Sequence, residues 1–254
     1  MRKICLTFAS LLLALIFLPA HPRAQWKTPW SYDGANGPDH WGDLDPDYAV
    51  CKSGREQSPI DIRSAKKSNL PALRFEFKSG PLTIINNGFT AVRVNYTLGN
   101  GNLLLVGDER YELVQFHFHR PSEEYLRGKQ YDMVAHFMLR SSDGKLAGVA
   151  VPLQTGAANP TVQQLWQYMP QVAGKEQFIP GVEVDPAGLL PRDKAYYTYM
   201  GSVTAPPCTE GVKWFVLKTP ANISRSEISA FAKLYPHDVR PPQPLNGRLV
   251  EESQ

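Results

Sequence analysis

Histidine is scarce in this chain, six among 254 residues, and half of them fall between positions 117 and 136. His117 and His119 sit in the run Gln115-Phe116-His117-Phe118-His119, and His136 follows in the next apolar stretch. Side chains alternate across a pleated strand, so residues two apart share a face. A third histidine from a neighbouring strand closes three corners of a tetrahedron. Three neutral imidazoles with one open position form the ligand set of a catalytic zinc ion. Such an ion lowers the pKa of its bound water to roughly 7 and makes hydroxide available at neutral pH. A His-x-His pair alone is more often an ordinary pair of hydrogen-bonded strand histidines than a ligand pair. Here Phe116 and Phe118 alternate with the histidines and separate an apolar face from a polar one, which favours the metal reading.

Positioning these side chains requires strands, and the chain is rich in them. From Leu73 onward, short alternating apolar runs cover 73–77, 82–86, 91–97, 102–106, 111–119, 132–140 and 146–153. Gly, Asn and Asp punctuate them, as at Asn86-Asn87-Gly88, Gly99-Asn100-Gly101 and Asp143-Gly144. That pattern predicts a mainly β, antiparallel-rich sheet. Further strands are expected at 196–199 and 212–218. One helix is predicted over 161–168, after Asn159-Pro160. A second is predicted over 225–234, opened by the capping-box pattern Ser224-x-x-Glu227. Residues 26–60, rich in Trp, Gly, Pro and Asp, read as an irregular segment over the core. Arg240-Pro241-Pro242-Gln243-Pro244 cannot be helical.

The N-terminus has the form of a secretory leader. Arg2 and Lys3 start it, Leu11 to Leu18 form its apolar centre, and Ala20 or Ala24 precedes the expected cut, leaving 25–254 as the mature domain. The apolar run is short for a membrane span. The whole chain carries 27 basic and 24 acidic residues, but Arg2, Lys3 and Arg23 belong to the leader. The mature chain is then electrically neutral, which gives no reason to expect nucleic acid as a partner. A soluble product without membrane attachment, secreted or periplasmic, is expected. Cys5 leaves with the leader, so Cys51 and Cys208 remain as an even pair in an oxidising compartment, and a disulfide between them is predicted. Closing so long a loop is worth about 4–5 kcal/mol in the chain-entropy model, less any native strain. Two buried free thiols are the alternative.

Several motifs occur in order: Gly37-Pro38-x-x-Trp41, Gln57-Ser58-Pro59-Ile60-Asp61, Gln115-Phe116-His117-Phe118-His119, Pro121-Ser122-Glu123, the stretch from Tyr197-Thr198-Tyr199 through Gly201-Ser202-x-Thr204 to Pro206-Pro207-Cys208, and Arg240-Pro241-x-Gln243-Pro244-Leu245. Through them the chain resembles the α-class carbonic anhydrases, and a bacterial exported member in particular, over about residues 30 to 250. The resemblance implies one domain on a large, twisted, mostly antiparallel sheet with a few short peripheral helices, with zinc at the base of a conical cleft. It implies a zinc lyase that reversibly hydrates carbon dioxide to bicarbonate and a proton, as a monomer or homodimer. His117, His119 and His136 would hold zinc. Thr204 would accept a hydrogen bond from the zinc-bound hydroxide and donate its own to Glu123. Gln115 would orient His117. Val203, Trp214 and Met138 would line the apolar pocket for carbon dioxide. Tyr32, Ser58 and Tyr199 match a hydrogen-bond network near the site, and Cys51 and Cys208 match a disulfide of exported members.

Five departures set this chain apart. The proton-shuttle histidine usual after Asn-Gly is replaced at Asn87-Gly88 by Phe89, and no histidine lies between His40 and His117. Val134 stands where many members carry a glutamate that orients the third ligand. Glu124 stands where many carry a histidine. The two exchanges read as one, with Glu124 expected to hold the outer nitrogen of His136; pairing with Arg120 or Arg127 is the alternative. Ala205 follows Thr204 in place of a second hydroxyl residue, and Gly148 replaces a larger pocket-wall residue. Two rival functions remain at this point: a non-catalytic zinc-binding module of the same family, and a zinc esterase.

Overall fold

The computed structural model describes residues 28–88 and 92–254; the leader and residues 89–91, Phe89 among them, lie outside the described residues. The strands are, in chain order, β1 (Asp61–Ile62), β2 (Lys66–Ser68), β3 (Leu73–Glu76), β4 (Gly80–Asn86), β5 (Val92–Asn95), β6 (Leu103–Val106), β7 (Glu109–His119) and β8 (Tyr125–Leu126). They continue as β9 (Lys129–Gln130), β10 (Met133–Ser141), β11 (Leu146–Thr155), β12 (Gln177–Val184), β13 (Tyr196–Ser202), β14 (Glu210–Leu217), β15 (Ala221–Ile223) and β16 (Glu251–Ser253). Among the described residues, 13 strands form one sheet whose main path runs β12-β4-β5-β7-β10-β11-β14-β13-β16-β2. Most neighbours are antiparallel, whereas β11 pairs in parallel with β14 and with β15, and β16 with β2. The expected mainly β domain with few short helices is present, with a sheet more mixed than the alternation pattern alone indicates.

The helices are α1 (Trp41–Leu44), α2 (Val50–Ser53), α3 (Pro160–Gln167) and α4 (Arg225–Ala232). Asn159 caps α3 by accepting from the backbone N–H groups of Thr161 and Val162. Ser224 and Glu227 form the reciprocal capping box at α4. Both lie within two residues of their expected bounds. Strand β12 was not expected: its residues are mostly exposed, Phe178 at 62%, and Pro180 and Gly181 interrupt it, so no apolar alternation marks it. It forms the edge of the sheet, where such residues block further pairing.

The two faces of the sheet bury different clusters. Phe116, Phe118, Ala135 and Phe137 belong to the larger core. Val134, Tyr199, Val212 and Trp214 belong to a second cluster, against which Met138 and Val203 pack. Trp30, Tyr32, Trp41 and Tyr48 make a third, around Cys51, Cys208 and Ala205. A bulge in β7 decides which face the histidines take. Opposite β10, Gln115 pairs with Met138 while Leu113 pairs with the next residue, Leu139, so Val114 is inserted. Before the bulge Tyr111 and Leu113 enter the larger core, and after it Phe116 and Phe118 do. The insertion reverses the phase of alternation. Without it, His117 and His119 would point into the apolar core.

Candidate metal centre

His117 and His136 are directly opposed across β7 and β10, and His119 lies opposite Val134. One ring nitrogen from each of His117, His119 and His136 can be chosen so that all three lie within 4.8 Å of one another. His119 and His136 are each 1% exposed, whereas His117 is only half-buried and is the member that faces outward.

Each outer nitrogen meets an acceptor. Nδ1 of His117 lies 2.8 Å from Oε1 of Gln115. Nδ1 of His119 lies 2.7 Å from the backbone carbonyl of Asp238. Nε2 of His136 lies 2.9 Å from Oε1 of Glu124. An acceptor on one nitrogen fixes the proton there and leaves the other nitrogen's lone pair free. The inward atoms are therefore Nε2 of His117, Nε2 of His119 and Nδ1 of His136. Nε2 of His119 is buried and has no hydrogen-bond partner.

Burial, followed by the neighbouring imidazoles of His119 and His136 and the Arg93 guanidinium, holds His117 well below the usual imidazole range. For His119 burial also opposes charging, but Glu123 and then Asp238 outweigh it and push the group up to about 9. Burial and the neighbouring cations thus disfavour a proton on His117, while the carboxylates of Glu123 and Asp238 favour positive charge at His119. A divalent cation between three neutral imidazoles meets both demands, and the all-nitrogen donor set suits zinc.

Glu123 is fully buried, and its Oε1 accepts the backbone N–H of Arg240 at 2.8 Å. Its Oε2 faces the inward nitrogens of His119 and His136 at 3.7 and 3.8 Å and has no hydrogen-bond partner. Thr204 is 5% exposed and lies in the loop after β13. That loop closes on itself through Val203 N–H to the Thr209 carbonyl and Cys208 N–H to the Ala205 carbonyl. The Cys51–Cys208 disulfide, spanning 157 positions, ties the loop to α2. Gln57 donates to the Cys208 carbonyl, and Ser58 lies 3.2 Å from the Tyr199 hydroxyl and accepts from Ser202 N–H. Tyr32, expected in the same network, packs edge-on against Trp30 and Trp41 instead, and its buried hydroxyl has no hydrogen-bond partner.

Trp214 stacks edge-on to His136 at 4.9 Å and donates its Nε1–H to the Ser202 carbonyl. Met138 and Val203 pack in the same cluster. Ala205, which follows Thr204, packs in the N-terminal aromatic cluster beside the disulfide. Gly148 is opposite Trp214 in the parallel β11–β14 pair, and the indole occupies the volume that a side chain at Gly148 would fill. Glu124 is fully buried, and among the described residues its charged-group contact is His136, not Arg120 or Arg127.

Two residues at the site escaped the sequence reading. Asp238 holds His119 through a carbonyl, a group every residue has, so no sequence signal points to it. Arg93 faces His117 across β5 and β7 and carries no motif. A cavity of about 380 Å³ lined by Thr198, Met200, Lys213 and Phe215 opens elsewhere, on the other face of β13 and β14. Its Lys213 is already paired with Glu109 at 2.6 Å and its Arg248 donates to backbone carbonyls. The chemistry-bearing groups converge at the histidines.

Comparison with known proteins agrees over nearly the whole chain. The family model described as eukaryotic-type carbonic anhydrase matches residues 36–254. A carbonic anhydrase from Nostoc sp. is 43% identical over 229 residues, covering 88% of this chain and 86% of its own. One from Pectobacterium carotovorum is 42% identical over 222 residues, covering 87% and 89%. The solved α-carbonic anhydrase of Thermovibrio ammonificans, in complex with the inhibitor sulfanilamide, superposes with a TM-score of 0.84 at 39% identity, covering 89% of this chain and 99% of that one.

Proposed function

Since the chain belongs to the eukaryotic-type carbonic anhydrase family, and is a carbonic anhydrase acting on carbon dioxide and bicarbonate, we propose that His117, His119 and His136 hold its zinc ion. The observation that carries this reading is the convergence of three inward imidazole nitrogens whose outer nitrogens each meet an acceptor. Zinc held there supplies activated water at neutral pH. Gln115, the Asp238 carbonyl and Glu124 fix the three rings, a task usual for groups behind metal ligands.

Thr204 would accept one hydrogen bond from the nucleophile that zinc supplies and donate its own toward Oε2 of Glu123. That oxygen is free to accept, and its carboxylate is held by the Arg240 N–H. A ligand unable to donate to Thr204 is then disfavoured, which is positioning rather than added reactivity. Trp214, Met138 and Val203 form the apolar side of the site, suited to carbon dioxide, a substrate with almost nothing to hydrogen-bond. Phe89 cannot carry a proton, so proton release passes to buffer and limits turnover. The leader pattern and the Cys51–Cys208 disulfide support export to the periplasm or beyond, since such bonds persist in oxidising compartments.

Stopped-flow carbon dioxide hydration by the zinc-loaded mature protein tests this function, with His117→Ala as control. Hydration that depends on His117 is expected. Bound zinc without hydration would overturn the catalytic reading in favour of a binding module.

A further inference from the structure

Arg93 is a charge with no assigned task. It lies in β5 directly opposite His117, which is itself opposite His136. Directly opposed residues on antiparallel strands leave the same face, so Arg93, His117 and His136 form one row across three strands. The arginine is half-buried, and its Nε is buried with no hydrogen-bond partner among the described residues. Loss of hydration pulls its guanidinium down from the usual range, and the negative charge of Glu176 only partly offsets this. Among the described residues Glu176 forms no ion pair with it; the Glu176 Oε2 accepts from the amide of Asn95. Among the described residues no carboxylate lies within ion-pair distance of Arg93.

Partly desolvated charges in proteins are ordinarily paired or used. A fixed positive charge in the row of the metal ligands works against a second cation, so Arg93 does not serve metal capture. It can serve an anion. A guanidinium presents N–H donors in a planar fork that matches a trigonal oxyanion. We propose that Arg93 is an anion-recognising residue of the site, binding bicarbonate and similar small oxyanions beside His117. The inference rests on the reading of the triad as the carbonic anhydrase centre. Carbon dioxide has no net charge and gains little from Arg93, so the residue distinguishes the anionic end of the reaction from the neutral one.

The test is calorimetric titration of zinc-loaded wild type, Arg93→Gln and Arg93→Lys with nitrate, a trigonal anion that does not react, and with bicarbonate, at constant ionic strength. 1,2,4-Triazole, uncharged at the working pH, is the control ligand. Arg93→Gln should weaken both anions about ten- to a hundredfold, the range of one hydrogen bond to a charged group. Arg93→Lys should weaken them less, and triazole affinity should not move. Unchanged nitrate affinity in Arg93→Gln would overturn the proposal. So would equal weakening of nitrate and triazole, in either variant, which would mark Arg93 as a packing residue. Zinc content and hydration by the wild type, measured on the same preparations, report separately on the function itself, because the nitrate comparison does not depend on turnover.

Discussion

Replacing Glu124 by Gln isolates the contribution of one buried charge to metal binding. Oε1 of Glu124 lies 2.9 Å from Nε2 of His136, and both residues are at most 1% exposed. Oε2 of Glu124 has no partner. Gln keeps the size and one acceptor but removes the charge. A hydrogen bond to a charged group is worth about 1.5–3 kcal/mol net, against about 0.5–1.5 for a neutral one. The imidazole gains positive character when it ligates zinc, so the difference of about 1–2 kcal/mol falls mainly on the metal-bound state. Zinc affinity should drop about ten- to a hundredfold, the span usual for groups supporting metal ligands, with Gln near the lower end. By linkage, stabilisation by zinc falls by about 1.4–2.7 kcal/mol. For a chain of this size that lowers the zinc-loaded Tm by about 3–10 °C. The zinc-free Tm should stay level or rise, since a half-satisfied buried carboxylate is removed. Chelator competition gives the affinity, and thermal unfolding at fixed free zinc gives the two Tm values. Equal falls in the zinc-free and zinc-loaded Tm, with unchanged zinc affinity, would refute the argument and make Glu124 a purely structural acid.

Imidazole buffer should raise the hydration rate in a saturable manner, because Phe89 offers no proton acceptor; a rate independent of buffer concentration would show another proton path. Phe89→His should reduce that dependence. Thr204→Ala should slow hydration about a hundredfold, the scale of lost alignment at a reacting centre, while zinc content stays at wild-type level by metal analysis. Gly148→Ala should destabilise the fold, because a Cβ there would lie 2.7 Å from Cε3 and Cζ3 of Trp214. That indole is 1% exposed and fixed by its bond to Ser202, so it cannot yield freely. Overpacking of about 1–3 kcal/mol corresponds to a fall in Tm of about 2–12 °C by calorimetry.

How far the chain could be read depended on whether each feature is encoded locally. The strands that carry the site are long apolar-rich runs in the sequence, so β7, β10 and β11 were legible, and the Ser224–Glu227 box located α4. The Glu124–His136 contact was legible as a paired exchange with Val134, since a carboxylate lost at one position and gained at another suggests one task moved. Edge strand β12 was not legible, because an exposed strand needs no apolar face. Nor were the parallel β11–β14 pairing and the Asp238 carbonyl, which depend on tertiary approach. The bulge at Val114 is the instructive case. A strict period of two from Tyr111 and Leu113 would place Gln115, His117 and His119 in the apolar core. The core positions instead run 111, 113, 116, 118, and that single step of three is the mark of the inserted residue. Val114 is itself apolar and masks that step in the sequence, so reading it required a demand from outside the strand. Three imidazoles can share one polar face only if the alternation reverses between Leu113 and Phe116, so the metal site and the bulge imply each other.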